Sequence, residues 1–310
     1  MTRLSVIVPA TNRPSTLPGC LEAIHAAKRP SDEVIVIEEP ADAGPALARN
    51  RGAERARGDV LVFVDADVNI HPDALRRIRT ALEADPGLTA VFGSYDATPP
   101  DEGVISAFRN LLHHHVHQRS PGPASTFWAG LGGIRREAFL AVGGFDAQRY
   151  RLPSIEDIDL GMRLASADAR IELDPQIQGT HLKAWSLAEM VRTDFDRRGV
   201  PWVALLLRQG SAPTALNLGW RHRLSALTTV VAMSGAITRR PRLAAGAVLA
   251  LVALNGSFYA LLARRRGPHE AAVGIGLHAL HHLTAVAAVP IGILAHLRES
   301  REARVEGRRG

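Results

Sequence analysis

Short apolar runs alternate with amphipathic stretches over the first 70 residues. Leu4-Ser5-Val6-Ile7-Val8 is a β-rich run stopped by Pro9. Residues 15–28 carry helical spacing in Leu17, Leu21 and Ile24. Val34-Ile35-Val36-Ile37 reads as a strand buried on both faces, residues 44–57 as an Ala- and Arg-rich helix, and Val60-Leu61-Val62-Phe63-Val64 as a third strand. Strands separated by helices of this length predict a parallel sheet with crossover helices.

The alternation continues with a helix over 71–84, a strand from Thr89 to Tyr95 and a histidine-rich helix over 104–118. Residues 120–125 read as a loop, followed by a short turn, a helix over Arg135–Val142 and a Gly143-Gly144 break. A helix over 156–168, a strand over Arg170–Leu173 and an amphipathic helix over 186–209 complete this part. The pattern then changes. Leu243 to Ala263 has no charge, and Ala271 to Leu297 has no Asp, Glu, Lys or Arg. Each stretch is long enough to cross a hydrocarbon core of ~30 Å at ~1.5 Å per residue. Leu224 to Ile237 is apolar but shorter, which suits an interfacial helix or a third span.

Charge sharpens this division. The chain of 310 residues has 37 Lys+Arg against 31 Asp+Glu, a formal +6. Residues 221–310 hold 13 Arg, no Lys and 4 Glu, a net +9, so residues 1–220 carry −3. The basic excess lies in the most apolar part of the chain, which argues against a nucleic-acid binder and for arginine-edged membrane segments. With two spans, 10 of these arginines fall on the cytoplasmic side and 3 outside; three spans would give 5 and 8. The positive-inside rule favours two. The expected domains are therefore 1–220, a soluble domain that includes the amphipathic helix over 186–209, and 221–310, a membrane tail with spans at 243–263 and 271–297. The opening apolar run is too short for a signal-peptide core, which predicts that the first domain stays in the cytoplasm. Cys20 is the only cysteine, so there is no intramolecular disulfide and no Cys-based zinc site.

The candidate chemistry starts at Asp65-Ala66-Asp67, directly after the strand Val60–Val64. In extended backbone, residues i and i+2 face the same way, so both carboxylates project together beyond the strand. Ligands of open α/β sheets bind in that crevice, and a hard divalent cation prefers oxygen ligands. A solvated strand-ending turn would give the same tripeptide.

The wider context resembles the family-2 glycosyltransferases over residues 4–185. Leu4 to Arg13 looks like that family's opening strand and nucleotide loop. Gly44 to Gly52 with Gly58-Asp59 looks like the helix before its metal motif, and Asp65-Ala66-Asp67 matches that DxD motif. Arg135 to Phe139 with Val142 to Asp146 is similar to its acceptor-side turn. Glu156-Asp157-Ile158-Asp159-Leu160 matches its ED motif. The resemblance implies an α/β fold of the GT-A type, a Rossmann-like nucleotide-diphospho-sugar transferase domain followed by a helical membrane-associated tail.

It also implies roles. Asp157 would be the general base and Glu156 would position the base or the acceptor. Pro9, Asn12, Arg13, Glu38, Arg49 and Asp65 would bind the donor. Asp67, with Asp65 and His181, would hold Mg2+ or Mn2+. Lys183, Trp185, Arg198 and Trp202 would form a lid, or, for Arg198 and Trp202, a membrane-surface anchor. The reaction would be an inverting transfer from a nucleotide-sugar to a lipid-linked or glycan acceptor; if the acceptor were a lipid phosphate, no base would be needed. The second strand ends in Glu38-Glu39-Pro40 where the family has Asp-Asp-Gly-Ser, which leaves the nucleotide base open. A sugar nucleotidyltransferase would need a glycine-rich loop that residues 9–13 lack, and a non-catalytic scaffold would not need the four carboxylates. A count of 35 Arg against Lys28 and Lys183 suits a GC-rich bacterial genome, and so a bacterial plasma membrane with the catalytic side cytoplasmic. Among the histidines, the i, i+4 pairs His113/His117 and His278/His282 share a helix face and could bind a metal, while the group at 278–282 could instead contact a lipid headgroup.

Overall fold

The computed structural model describes residues 2–210 and 219–306; residues 211–218 of the expected first domain, and Arg308 and Arg309 of the arginine count, lie outside the described residues. The chain divides into two units. One comprises residues 1–102 and 113–184, the other 103–112 and 185–310. The division thus falls after Ala184, not at 220, and the amphipathic segment 186–209 groups with the tail. Its packing explains this: a Cβ at Gly199 would meet Ala288, and one at Gly292 would meet Val203.

The first unit is built on β1 (Leu4–Pro9), α1 (Leu17–Ala27), β2 (Glu33–Ile37), α2 (Pro45–Arg55), β3 (Val60–Val64), β4 (Val68–Ile70), α3 (Ala74–Ala84) and β5 (Leu88–Tyr95). Helix α4 (Val104–Gln118) contributes its last turns here. β6 (Gly122–Ala124), β7 (Leu131–Arg135), α5 (Arg136–Ala141), α6 (Glu156–Ser166) and β8 (Arg170–His181) follow. The eight strands form one sheet in the order β2-β1-β3-β7-β5-β8-β4, with β6 beside β8. β1 pairs in parallel with β2 and β3, and β5 with β8.

Successive residues of β3 serve opposite faces, as a pleated strand requires. Val62 and Val64 join Val6, Val8, Leu75 and Ile78 in the core under α1 and α3. Phe63 points the other way into an aromatic cluster with Phe127, Phe139 and Phe145, at centroid distances of 5.2–6.5 Å.

The sheet is mixed, not parallel as the alternation predicts. β7 inserts between β3 and β5 and runs antiparallel to both. Its sequence, Leu-Gly-Gly-Ile-Arg, has almost no β-branched signal. The glycines are there because the neighbours leave no room: a Cβ at Gly132 would sit 2.6 Å from the Phe127 ring, and one at Gly133 would sit 2.4 Å from Ile78. The stretch read as a loop contains β6, which gains its strand character by pairing with β8. β8 runs on to His181, so Gly179 is no break; it pairs with Ile70 of β4 on one side and Tyr95 of β5 on the other.

The second unit contains α7 (Leu187–Arg192), a π-helical turn (Thr193–Gly199), α8 (Val200–Gln209), α9 (Trp220–Ile237), α10 (Pro241–Leu254), α11 (Gly256–Arg266) and α12 (Pro268–Glu306). Ser186 and Glu189 form a capping box at the start of α7. The expected helix over 186–209 is therefore interrupted. Asp194, in the π turn, is buried and paired with Arg109 and His281, each at 2.7 Å. The expected span 243–263 is broken at Asn255, where α10 and α11 meet at 76°. The Asn255 amide nitrogen donates to Ser225 Oγ at 2.8 Å and to the Leu251 carbonyl at 3.0 Å. An Asn-Gly pair supports a helix poorly, and the side chain competes for backbone groups. Among the described residues, Pro268–Arg301 is the one helix long and apolar enough by itself to cross a membrane, with a mean hydropathy of 1.5.

Candidate active site

The first unit gathers charged groups where β3, α2, α6 and β8 meet. Arg49, on α2, is the centre of the arrangement and is 3% exposed. It donates to Asp65 Oδ1 at 2.6 Å and to Glu156 Oε1 at 2.8 Å. Glu156 Oε2 accepts the Ser154 amide at 2.9 Å, so this carboxylate is fixed from both sides. Carboxylates that are 91 residues apart in sequence thus share one buried guanidinium. The opposite charges hold Arg49 above its already high pKa despite its burial.

Asp157 lies next to Glu156 in the first turn of α6. Its Oδ2 accepts the Ala129 amide at 3.2 Å, and its Oδ1 accepts the Ile158 amide at 2.8 Å. Burial and then the adjacent Glu156 charge push its pKa up to about 7, against the pull of Arg49. A carboxylate in that range exchanges protons near neutrality, which general-base chemistry requires. Gly161 makes this possible: a Cβ there would come 2.1 Å from the Phe127 backbone nitrogen, so only glycine lets α6 approach the 126–129 segment.

Asp65-Ala66-Asp67 is a turn, not an extended segment. The Val68 amide donates to the Asp65 carbonyl at 2.9 Å as the chain enters β4. The two carboxylates therefore diverge, Asp65 toward Arg49 and Asp67 toward His181, whose Nε2 is 3.5 Å from Asp67 Oδ2. Both sit in a recess with side chains about 30% exposed (31% and 30%). Burial raises Asp65, in excess of the opposing Arg49 charge. Burial also acts on Asp67, but His181 and Lys183 outweigh it and hold that carboxyl below its ordinary value.

The donor-loop residues are placed less tightly. Pro9 ends β1, and Asn12, Arg13 and Glu38 are exposed. Arg13 adopts a positive φ of 46° and pairs with Glu39, not Glu38, at 3.1 Å. The Thr11 hydroxyl bonds the Ala43 carbonyl, and the Asp42 amide bonds Thr11 O at 3.1 Å, tying the loops after β1 and β2 together. Of the expected lid, Lys183 belongs to the first unit beside Asp67. Trp185, Arg198 and Trp202 belong to the second, where the Trp185 ring lies 4.8 Å from the Arg109 guanidinium. Among the described residues, no group of three or more His, Cys, Asp or Glu side chains forms a metal cage. The His113 and His117 rings lie 3.9 Å apart and both pack against Trp128, and His278 bonds Tyr259.

Sequence reasoning passed over three groups that the fold brings in: the Ala129 amide, Tyr95 and Trp128. A backbone donor has no sequence signature. Tyr95 is visible only as the last residue of a strand, and Trp128 only as half of an aromatic pair before a glycine-rich run.

The fold is that of the GT-A transferases. A mannosyltransferase of Pyrobaculum calidifontis, solved with GDP-Man and Mn2+, superposes over 92% of this chain and 87% of its own with a TM-score of 0.57 at 19% identity. Residues 31–143 match the family model described as glycosyl transferase family 2. An uncharacterized glycosyltransferase of Haemophilus influenzae is 24% identical over 187 residues, 52% of this chain and 61% of that protein. The pre-mycofactocin glycosyltransferase of Mycobacterium tuberculosis is 28% identical over 155 residues, 46% of this chain and 31% of the relative. The chain thus spans less than two thirds of the length of these relatives. Over residues 31–143 it is similar to glycosyl transferase family 2.

Proposed function

We propose that this protein transfers a sugar from a nucleotide-sugar donor to an acceptor hydroxyl, with inversion, using Asp157 as the base and a divalent ion on the donor side. The observation that carries this reading is the Arg49 bridge. It joins Asp65, on the donor side, to Glu156, beside the base, in one connected site.

Asp67 and His181 are a fitting pair for Mg2+ or Mn2+. They offer one oxygen and one nitrogen donor 3.5 Å apart. These two side chains would hold the ion, a hard cation that accepts oxygen ligands. When bound, the ion supplies positive charge against the departing diphosphate. Asp157 takes the acceptor proton, Glu156 is held still by Arg49 and the Ser154 amide, and the Ala129 and Ile158 amides each bond one Asp157 oxygen and fix the carboxylate's plane. Arg49, between two carboxylates, acts on their placement.

The acceptor reading follows from the second unit. Its exposed large apolar residues include Leu227, Ile237, Leu249 and Leu294, and arginines flank them at 239, 240, 242 and 264–266. This suits attachment to an anionic membrane surface and a lipid-linked or glycan acceptor held there, with the catalytic unit on the cytoplasmic side of a bacterial plasma membrane. Incubating membranes that contain the protein with a panel of labelled nucleotide sugars and Mn2+, then extracting with organic solvent, tests the whole reading. Label should enter the organic phase with one donor and be lost with Asp157→Asn. Full transfer by both Asp157→Asn and Asp67→Ala would sink it.

A further inference from the structure

Tyr95 ends β5, and its register partner on the parallel strand β8 is Gly179. Two residues further along β8, on the same face of the sheet, comes His181. The Tyr95 ring and the imidazole diagonal to it meet face to face. The two rings lie 4.2 Å apart with their planes 10° from parallel. On its other contacts the Tyr95 ring is enclosed by His113 at 4.3 Å and by the edge-on Trp128 at 4.9 Å. Trp128 immediately precedes Ala129, whose amide binds Asp157.

The last torsion of a histidine side chain is broad, so an imidazole is not held in one plane by its own rotamer preference. The 7% exposed His181 ring presents Nε2 toward Asp67 only while its plane is fixed. The stack on Tyr95 supplies that constraint, and the enclosure of Tyr95 keeps the platform from yielding. From this geometry we propose that Tyr95 is a positioning residue for His181, acting through its ring face to set the His181–Asp67 pair for a divalent cation. The inference rests on the reading of Asp67 and His181 as the ion's protein ligands.

The test uses the full-length protein in detergent, with Mn2+ alone as the probe and the electron paramagnetic resonance signal of free Mn2+ as the readout. Loss of a group that orients a metal ligand typically weakens affinity ~10–100-fold. Tyr95→Leu should therefore weaken Mn2+ binding at least about tenfold, while Tyr95→Phe, which keeps the ring, stays within about twofold of the parent. Tyr95→Met carries the same expectation as Tyr95→Leu should the latter fail to fold, which thermal unfolding reports. In the double variant Tyr95→Leu/His181→Ala, binding should be no weaker than in His181→Ala alone. Unchanged Mn2+ affinity in Tyr95→Leu, alongside weakened affinity in His181→Ala, would overturn the role of Tyr95 and leave the ligand assignment standing. Unchanged affinity in His181→Ala would overturn both.

Discussion

Replacing Arg49 with Met separates electrostatic clamping from simple packing. The guanidinium is 3% exposed and is bonded to Asp65 at 2.6 Å and Glu156 at 2.8 Å. Methionine keeps much of the volume but leaves two carboxylates, with Asp157 close by, sharing a poorly hydrated space without a cation. Breaking a buried pair from one side costs ~3–5 kcal/mol, mostly as the penalty of the charges left behind. At ~2–4 °C per kcal/mol for a domain of this size, the Tm should fall by about 6–20 °C. The loss must depend on pH. Asp65 and Asp157 already sit above their ordinary values, and losing the opposing Arg49 charge raises them further, so the folded variant binds still more protons relative to the unfolded chain than the parent does. Its stability then increases as pH falls, and the gap to the parent should narrow between pH 8 and pH 5. The assay is thermal unfolding followed by circular dichroism across that range. Arg49→Met/Glu156→Gln, which removes one orphaned charge, should recover part of the loss at pH 8. A destabilisation below about 1 kcal/mol, or one that is the same at both pH values, would refute the clamp.

Asp157→Asn should abolish transfer yet raise the Tm above pH 7: with a folded pKa of about 7, above its unfolded value, ionised Asp157 opposes folding as pH rises from about 4 to 7, and the amide removes that penalty. In the parent, the rate should climb with pH through about 7 as the base loses its proton; a profile flat from pH 6 to 8 would exclude Asp157 as the base. Gly161→Ala should cost ~1–3 kcal/mol through the contact with Phe127 N, and should lower kcat by moving Asp157 off the Ala129 amide; an unchanged Tm in denaturation scans would contradict the tight approach. Asp67→Ala should remove Mn2+-dependent thermal stabilisation by the nucleotide sugar, and persistence of that stabilisation would place the ion elsewhere.

Local periodicity gave the elements whose neighbours are close in sequence. Val60–Val64 and Val104–Gln118 are bounded as their hydrophobic spacing predicts, because a continuous apolar run and a 3.6-residue repeat declare themselves within a few residues. The carboxylates at 65 and 67 were candidates from their type and placement after a strand, and those at 156 and 157 from the family resemblance. Tertiary structure decided the rest. β7 is a strand only because β3 and β5 flank it, and its glycines answer to Phe127 and Ile78, not to any local preference. The turn at residues 65–67 forms because the chain must enter β4, and it sends the two carboxylates to different partners. The Asn-Gly pair at 255–256 weakens the helix locally, and Ser225, 30 residues away, holds the Asn255 side chain at the break. Sequence fixes which groups are available and the periods of the segments that bear them. Only the folded backbone brings Arg49 between Asp65 and Glu156, or lays Tyr95 on His181, because such contacts depend on register and close approach between residues far apart in the chain.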